Sequence, residues 1–161
     1  MGFFQKLFGK NLDTLYAPVA GNAVSVQTVP DPTFAEEMLG KGIAIEPTEG
    51  KVYAPCDATV DTVFEAGHAV SLNAFNGAEI LIHVGLDTVA LKGKYFTVHC
   101  KSGDHVKHGD LLIEFDNEAI LAEGYNTITP MLIFNSGNYS VFNTKTGKSV
   151  TAADAVIELA K

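Results

Sequence analysis

Two pairs of motifs recur within the chain. YAPVAGNAV, from Tyr16, returns as YAPCDATV from Tyr53, and GDHVKHGDLLIEF, from Gly103, returns as GKSVTAADAVIEL from Gly147. The second pair keeps glycine, valine, aspartate and a closing apolar-Glu-apolar triplet at identical offsets, a spacing that an irregular loop would not produce twice. Each copy is a short strand-forming run bounded by Gly, Asp or Pro, with turns at roughly ten-residue intervals, which is the pattern of a sandwich or barrel. The expected fold is therefore all-β, an antiparallel β-sandwich or barrel of two similar halves with a few short helical turns. With 161 residues the chain suffices for one domain that buries a core without disulfides or metal. That domain is placed at residues 16–161, after a tail of residues 1–15.

Two segments interrupt the strands. In Val29 to Gly42 two prolines forbid a central strand, and Thr33 to Leu39 then reads as one or two helical turns stopped by Gly40, with Phe34, Met38 and Leu39 on one side. Asp116 to Gly124 reads as a second short helix with an acidic start and a glycine stop.

Composition narrows the partners. The net charge of −8 argues against nucleic acid and favours a basic protein partner. Only 19% of residues are charged against 47% hydrophobic, so some apolar surface is expected to remain for partners. All 11 basic residues are lysines, so the chain lacks the bidentate arginine fork that usually clamps a phosphate. Cys56 and Cys100 read as free thiols in a reducing, cytoplasmic setting. No apolar run is long enough to span a membrane as a helix.

Chemistry concentrates between His68 and Val89. Ile80, Leu81, Ile82 and Val84 favour a strand buried on both faces, yet His83 interrupts them with two ring nitrogens that need partners. Alternation puts Ile80, Ile82 and Val84 on one face and Leu81 with His83 on the other, which makes the second face the candidate site. Asn76-Gly77 is a strong hairpin signal between His68 and His83. A four-residue loop over 74–77 sets the two histidines opposite each other, and a two-residue turn sets them diagonally. Either leaves the imidazoles on one face, about 5 to 8 Å apart at Cβ; a three-residue loop would separate them. Such a pair is open to three readings: a satisfied core pair, half of a metal site, or a nucleophile with its helper.

The run Gly77, Ile80 to Ile82, His83, Val84, Gly85, Leu86, Asp87, Thr88, Val89 resembles the active-site signature of the glucose-type enzyme IIA of the bacterial phosphoenolpyruvate:sugar phosphotransferase system. VPDP, FAE and GxGIAIxP in Val29 to Pro47, DTVALKGKYF from Asp87, GDHVKHGDLLIEFD from Gly103 and TPMLIFN from Thr129 are similar to that family in the same order, and the likeness runs from Tyr16 onward. The resemblance implies a cytoplasmic phosphocarrier. His83 would be the phosphorylated nucleophile and His68 the transition-state stabiliser. HPr would be the phosphoryl donor and the IIB domain of a glucose-type permease the acceptor. It further implies a docking ring, for which Phe34, Met38, Leu39 and Leu81 are candidates, with Asp31 and Asp87 at its rim attracting a basic donor. No cofactor is implied, although His68 and His83 could share a zinc ion. One departure stands out: where the family commonly has threonine two residues before the helper histidine, this chain has Ala66.

Two other classes compete. GDHVKHGDLLIEF also resembles half of a biotinyl or lipoyl carrier, but the lysine in a Met-Lys-Met or Asp-Lys setting is missing. LytM-like zinc peptidases need a His-x-His pair, and His83-Val84-Gly85 supplies one histidine. His99, Cys100, His105 and His108 invite a metal reading too, with the last two expected to be solvated beside a Gly-Asp turn.

At the N-terminus, Phe3, Phe4, Leu7 and Phe8 fall on one helical face of a ten-residue stretch, which reads either as a plain tail or as a peripheral membrane contact. Deleting residues 1 to 10 is expected to weaken binding to anionic vesicles while leaving phosphoryl acceptance unaltered. Vesicle co-sedimentation of the two forms checks this, and equal binding would identify a plain tail.

Overall fold

The computed structural model describes residues 12–161, so the amphipathic N-terminal stretch lies outside the described residues. Fourteen strands follow in order among them: β1 (Asp13–Tyr16), β2 (Gly21–Ser25), β3 (Lys41–Pro47), β4 (Lys51–Tyr53), β5 (Ala58–Val63), β6 (Ala69–Ala74), β7 (Glu79–His83), β8 (Phe96–Val98), β9 (His105–Val106), β10 (Leu111–Phe115), β11 (Thr129–Ile133), β12 (Val141–Thr144), β13 (Lys148–Val150) and β14 (Ala155–Ala160). Two short helices join them, α1 (Pro32–Ala35) and α2 (Asn117–Ala122). An eight-stranded sheet runs β13-β2-β3-β11-β7-β6-β5-β9, and two three-stranded sheets run β1-β14-β12 and β4-β10-β8.

The motif repeats become a structural repeat. The Ala17 N–H, in the first YAP, donates to the Asp154 carbonyl, and the Ala54 N–H, in the second, donates to that of Asp110. β1 pairs with β14 and β2 with β13; likewise β4 pairs with β10 and β5 with β9. The shared aspartates do the same work in each half, since Asp110 accepts the Lys107 N–H and Asp154 the Thr151 N–H, both at 2.8 Å. A short carboxylate that caps its own turn explains why aspartate stands at both positions. Pairing begins at Asp13 with Leu15 fully buried, so β1 takes in the last three residues of the expected tail.

One face of the large sheet, carrying Ile43, Ile45, Ile80, Ile82, Met131 and Ile133, packs on the two small sheets through Leu15, Val52, Leu112, Ile113, Ile157 and Leu159. The opposite face carries Ala44, Ala69, Leu81 and Leu132 and packs beneath Val26, Val29, Phe34, Leu86 and Ile128. β11, TPMLI, is buried throughout because both of its faces are covered. That second layer consists of loops rather than a sheet, and it leaves part of the face open.

Helix α1 is a single turn. Asp31 accepts the Thr33 N–H at 3.0 Å and Pro32 opens the turn, but Glu37 already lies at φ +56°. Met38 and Leu39 therefore leave the helix, and they do not share a helical side with Phe34 as expected. Helix α2 follows its sequence signals, with Asp116 accepting the Ala119 N–H and Gly124 at φ +93° after its end.

The β6–β7 hairpin departs from both even-loop registers. Ala69 lies opposite His83 and Asn73 opposite Glu79, so the loop holds three residues, Phe75 to Gly77, with Gly77 at φ +89°. Three-residue loops need such a left-handed residue, and glycine supplies it without a Cβ clash.

Leu132 is fully buried at the centre of the loop-covered face, opposite Gly42 on β3 and Leu81 on β7. Leu132→Ala is expected to cost about 2–5 kcal/mol in chemical denaturation. A loss below about 1 kcal/mol would mean that this second layer is not packed as described.

Candidate active site

His83 is the last residue of β7, where the paired strand ends and the loop cover opens. Its Nδ1 donates to the Gly85 carbonyl at 2.7 Å. An imidazole that gives its proton to a fixed carbonyl keeps the lone pair on the other nitrogen, here Nε2. The accepting turn is tightly held. Gly85 sits at φ +78°, its N–H donates to the Ile128 carbonyl at 3.0 Å, and the Leu86 N–H donates to that of Asn126 at 2.9 Å.

The His68 ring lies 4.8 Å from that of His83, with their planes 86° apart. The three-residue loop, with strict alternation, would have put the two on opposite faces of the sheet. His68 escapes this rule because it stands one residue before β6, after Gly67 at φ +75°, in a bend where the pleat no longer sets side-chain direction. Its carbonyl still accepts the Val84 N–H at 2.7 Å, which ties the backbones of the two histidine segments together. Phe34 tilts against the His83 ring at 5.2 Å and Phe64 meets the His68 ring edge-on at 5.9 Å.

Burial sets the protonation states. His68 is almost wholly enclosed, and desolvation, helped by neighbouring His83, pushes it from its ordinary 6.5 down to about 4. Its Nδ1 is buried without a hydrogen-bond partner among the described residues, beside the position where Ala66 replaces threonine. His83 is also lowered, by desolvation, against the Gly85 hydrogen bond and the charges of Asp31 and Asp87, which favour the protonated ring. Both rings are thus held toward the neutral form, the form in which a nitrogen can act as nucleophile.

Around His83 lies a depression of about 420 Å³ lined chiefly by Asp31, Phe34, Leu39, Leu81, Asp87 and Val89. Of the four residues expected in the docking ring, Phe34 and Leu81 are only 5% and 4% exposed, whereas Met38 is 69% exposed. The first two form the floor. Met38 stands exposed but does not line the depression, whereas Leu39 lines it together with Phe64, Val89 and Phe134, which the sequence did not single out. Phe134 was legible by alternation, since it follows Leu132 by two residues and shares its face. Phe64 and Val89 lie in turns, where no periodicity marks them.

The other histidines are engaged elsewhere. His99 pairs with Glu114 at 2.7 Å, His105 with Thr59 at 3.1 Å, and His108 stacks on Tyr16 and donates to the Ala152 carbonyl. No group of three or more His, Cys, Asp or Glu side chains set to hold a metal occurs among the described residues. Cys56 is buried and Cys100 half-buried, both as free thiols. No helix among the described residues is long and apolar enough to cross a membrane.

A duplicated β-sandwich with two neutral imidazoles in an apolar basin defines a histidine-centred class of protein. Residues 13–139 match the family described as phosphoenolpyruvate-dependent sugar phosphotransferase system, EIIA 1. The glucose-specific EIIA component of Staphylococcus epidermidis is 49% identical over 138 residues, covering 83% of each chain. The beta-glucoside-specific EIIBCA component of Dickeya chrysanthemi is 53% identical over 127 residues, 79% of this chain but only 20% of that longer protein. The glucose permease IIA from Mycoplasma capricolum has the same fold, with a TM-score of 0.87 at 31% identity over 98% of this chain and 99% of that one. The chain belongs to the glucose-type EIIA family, and is a phosphocarrier component of the phosphotransferase system. These relationships support neither the swinging-arm carrier nor the zinc peptidase.

Since His68 is neutral when folded and titrates near 6.5 when unfolded, the unfolded chain binds the extra proton between those two values. Its contribution to stability is therefore complete above about pH 6.5 and declines as the pH falls toward 4. His68→Gln is expected to flatten the decline in unfolding free energy over that window, leaving the part due to His83. Denaturation at several pH values checks this, and an unchanged slope would show that His68 is not held neutral.

Proposed function

We propose that His83 carries the phosphoryl group, accepting it from phosphorylated HPr and passing it to a cysteine in the IIB domain of a sugar permease at the cytoplasmic face. The observation that carries this reading is the bond from His83 Nδ1–H to the Gly85 carbonyl, which leaves Nε2 with its lone pair in the open basin. In the first step that lone pair forms an N–P bond as the donor's N–P bond breaks, with the bonding electrons returning to the donor imidazole. The Gly85 carbonyl then faces a ring that has gained positive character, which it stabilises. In the second step the cysteine thiolate attacks phosphorus and the electron pair returns to Nε2.

His68 supports this transfer from the side. With Nδ1 sealed in the wall, Nε2 is the nitrogen that can donate to a phosphoryl oxygen, and the arriving negative charge favours protonation of the ring. The exposed side chains of Met38, Leu39, Phe64, Val89 and Phe134 form the contact surface. Asp31 and Asp87 draw a basic donor toward it, affecting the association rate more than the affinity. Two imidazoles would supply half the ligands of a four-coordinate zinc site, and this transfer uses no metal.

Incubation with phosphoenolpyruvate, enzyme I and HPr is expected to place one acid-labile, alkali-stable phosphate per chain on His83. His83→Ala should abolish labelling and His68→Gln should slow it about 10²- to 10³-fold. Label on another residue, or wild-type transfer in His68→Gln, would overturn the assignment.

A further inference from the structure

Buried hydroxyls near a reactive group need an explanation, because an unpaired one costs free energy. Thr88 is fully buried and opens the 3-10 turn Thr88–Leu91, five residues beyond His83. Its Oγ1 donates to the Val84 carbonyl, back across the turn. Its methyl group packs where a Gly85 side chain would otherwise go, since a Cβ there would lie 2.5 Å from Thr88 Cγ2. Thr88 thus meets the Gly85 turn in two independent ways, one polar and one steric.

The consequence concerns two adjacent peptide planes. The plane between Val84 and Gly85 is held at its oxygen by Thr88 and at its N–H by the Ile128 carbonyl. The next plane, between Gly85 and Leu86, is held at its N–H by the Asn126 carbonyl, so that its oxygen points the other way, to His83 Nδ1. Glycine at φ +78° has no side chain of its own to resist rotation of either plane. Asp87, also left-handed at φ +60°, caps the 3-10 turn without a side-chain hydrogen bond, so beyond the His83 ring itself it is the hydroxyl of Thr88 that ties this loop back on itself.

We propose that Thr88 is a positioning residue for the phosphoryl-transfer reaction: by locking the Val84–Gly85 turn it aims the Gly85 carbonyl at His83 and thereby holds the proton on Nδ1 and the lone pair on Nε2. The proposal rests on His83 being the phosphorylated residue. Without the hydroxyl the turn gains freedom, the Nδ1–H bond lengthens or breaks, and the Nε2–H tautomer, which presents no lone pair to the basin, becomes populated.

The test compares Thr88→Val, which keeps the shape and loses the hydroxyl, with Thr88→Ser, which keeps the hydroxyl. ¹⁵N NMR of the imidazoles in the unphosphorylated proteins reports the His83 tautomer directly, and single-turnover transfer from phosphorylated HPr reports its use. Thr88→Val is expected to shift His83 to a tautomer mixture and to slow transfer at saturating HPr about tenfold, with the KM for HPr within about twofold. Thr88→Ser should retain the wild-type tautomer and most of the rate. Wild-type tautomer and rate in a folded Thr88→Val overturn the proposal. Should Thr88→Val fail to unfold cooperatively, Thr88→Ala takes its place, and equal tautomer populations in Thr88→Ala and Thr88→Ser overturn it as well. Failure of the phosphocarrier reading itself would show instead as a wild-type protein not labelled on His83, whatever its tautomer.

Discussion

The hydrogen bond from His83 to the Gly85 carbonyl organises the site, because a histidine is chemically ambiguous until one of its nitrogens is committed. Imidazole offers two tautomers of similar energy, and only a fixed acceptor selects between them. Here the acceptor is a backbone carbonyl in a turn that a side chain on Gly85 would break. Loop 126–128 and Thr88 both hydrogen-bond that turn. Gly85 and Asp87 supply the left-handed backbone of this loop, and Thr88 bonds back to the Val84 carbonyl.

The second constraint is desolvation. A sandwich whose central strands are buried on both faces has few places for a polar side chain, and the one used here is the end of β7, where the loop layer is incomplete. Burial lowers the basicity of both histidines, and the two neighbouring carboxylates of Asp31 and Asp87 only partly offset it for His83. The balance holds both rings toward the neutral form near neutral pH. An arginine would supply permanent charge, and this chain has none.

Much of this was legible in the residues. The repeats YAP and Gly-x-x-Val, with the turn-capping aspartates Asp110 and Asp154, specified two similar β halves, and those halves pair as the repeats suggest. The alternation through Ile80 to Val84 assigned Leu81 and His83 to the open face, and both line the same depression there while Ile80, Ile82 and Val84 join the core on the other side. The hairpin register was not legible, because Asn76-Gly77 fits loops of two, three or four residues equally well and nothing in the local sequence chooses among them. The exposed apolar side chains near the basin were only half legible. Met38 and Leu39 looked helical, yet the left-handed Glu37 expels them from the turn, and a positive φ at glutamate has no signature in sequence.

The sequence by itself determined the fold class, the duplicated halves, the face carrying His83 and the absence of an arginine clamp, since each depends on residue type and short-range period. Tertiary structure alone decided that His68 meets His83. By register the two belong to opposite faces, and they touch because His68 leaves the pleat one residue before β6, where a glycine bend turns its ring across the strand end. Alternation holds only inside a paired strand. Where pairing stops, the packing of neighbouring loops sets the direction of a side chain, and that packing is a property of the whole chain.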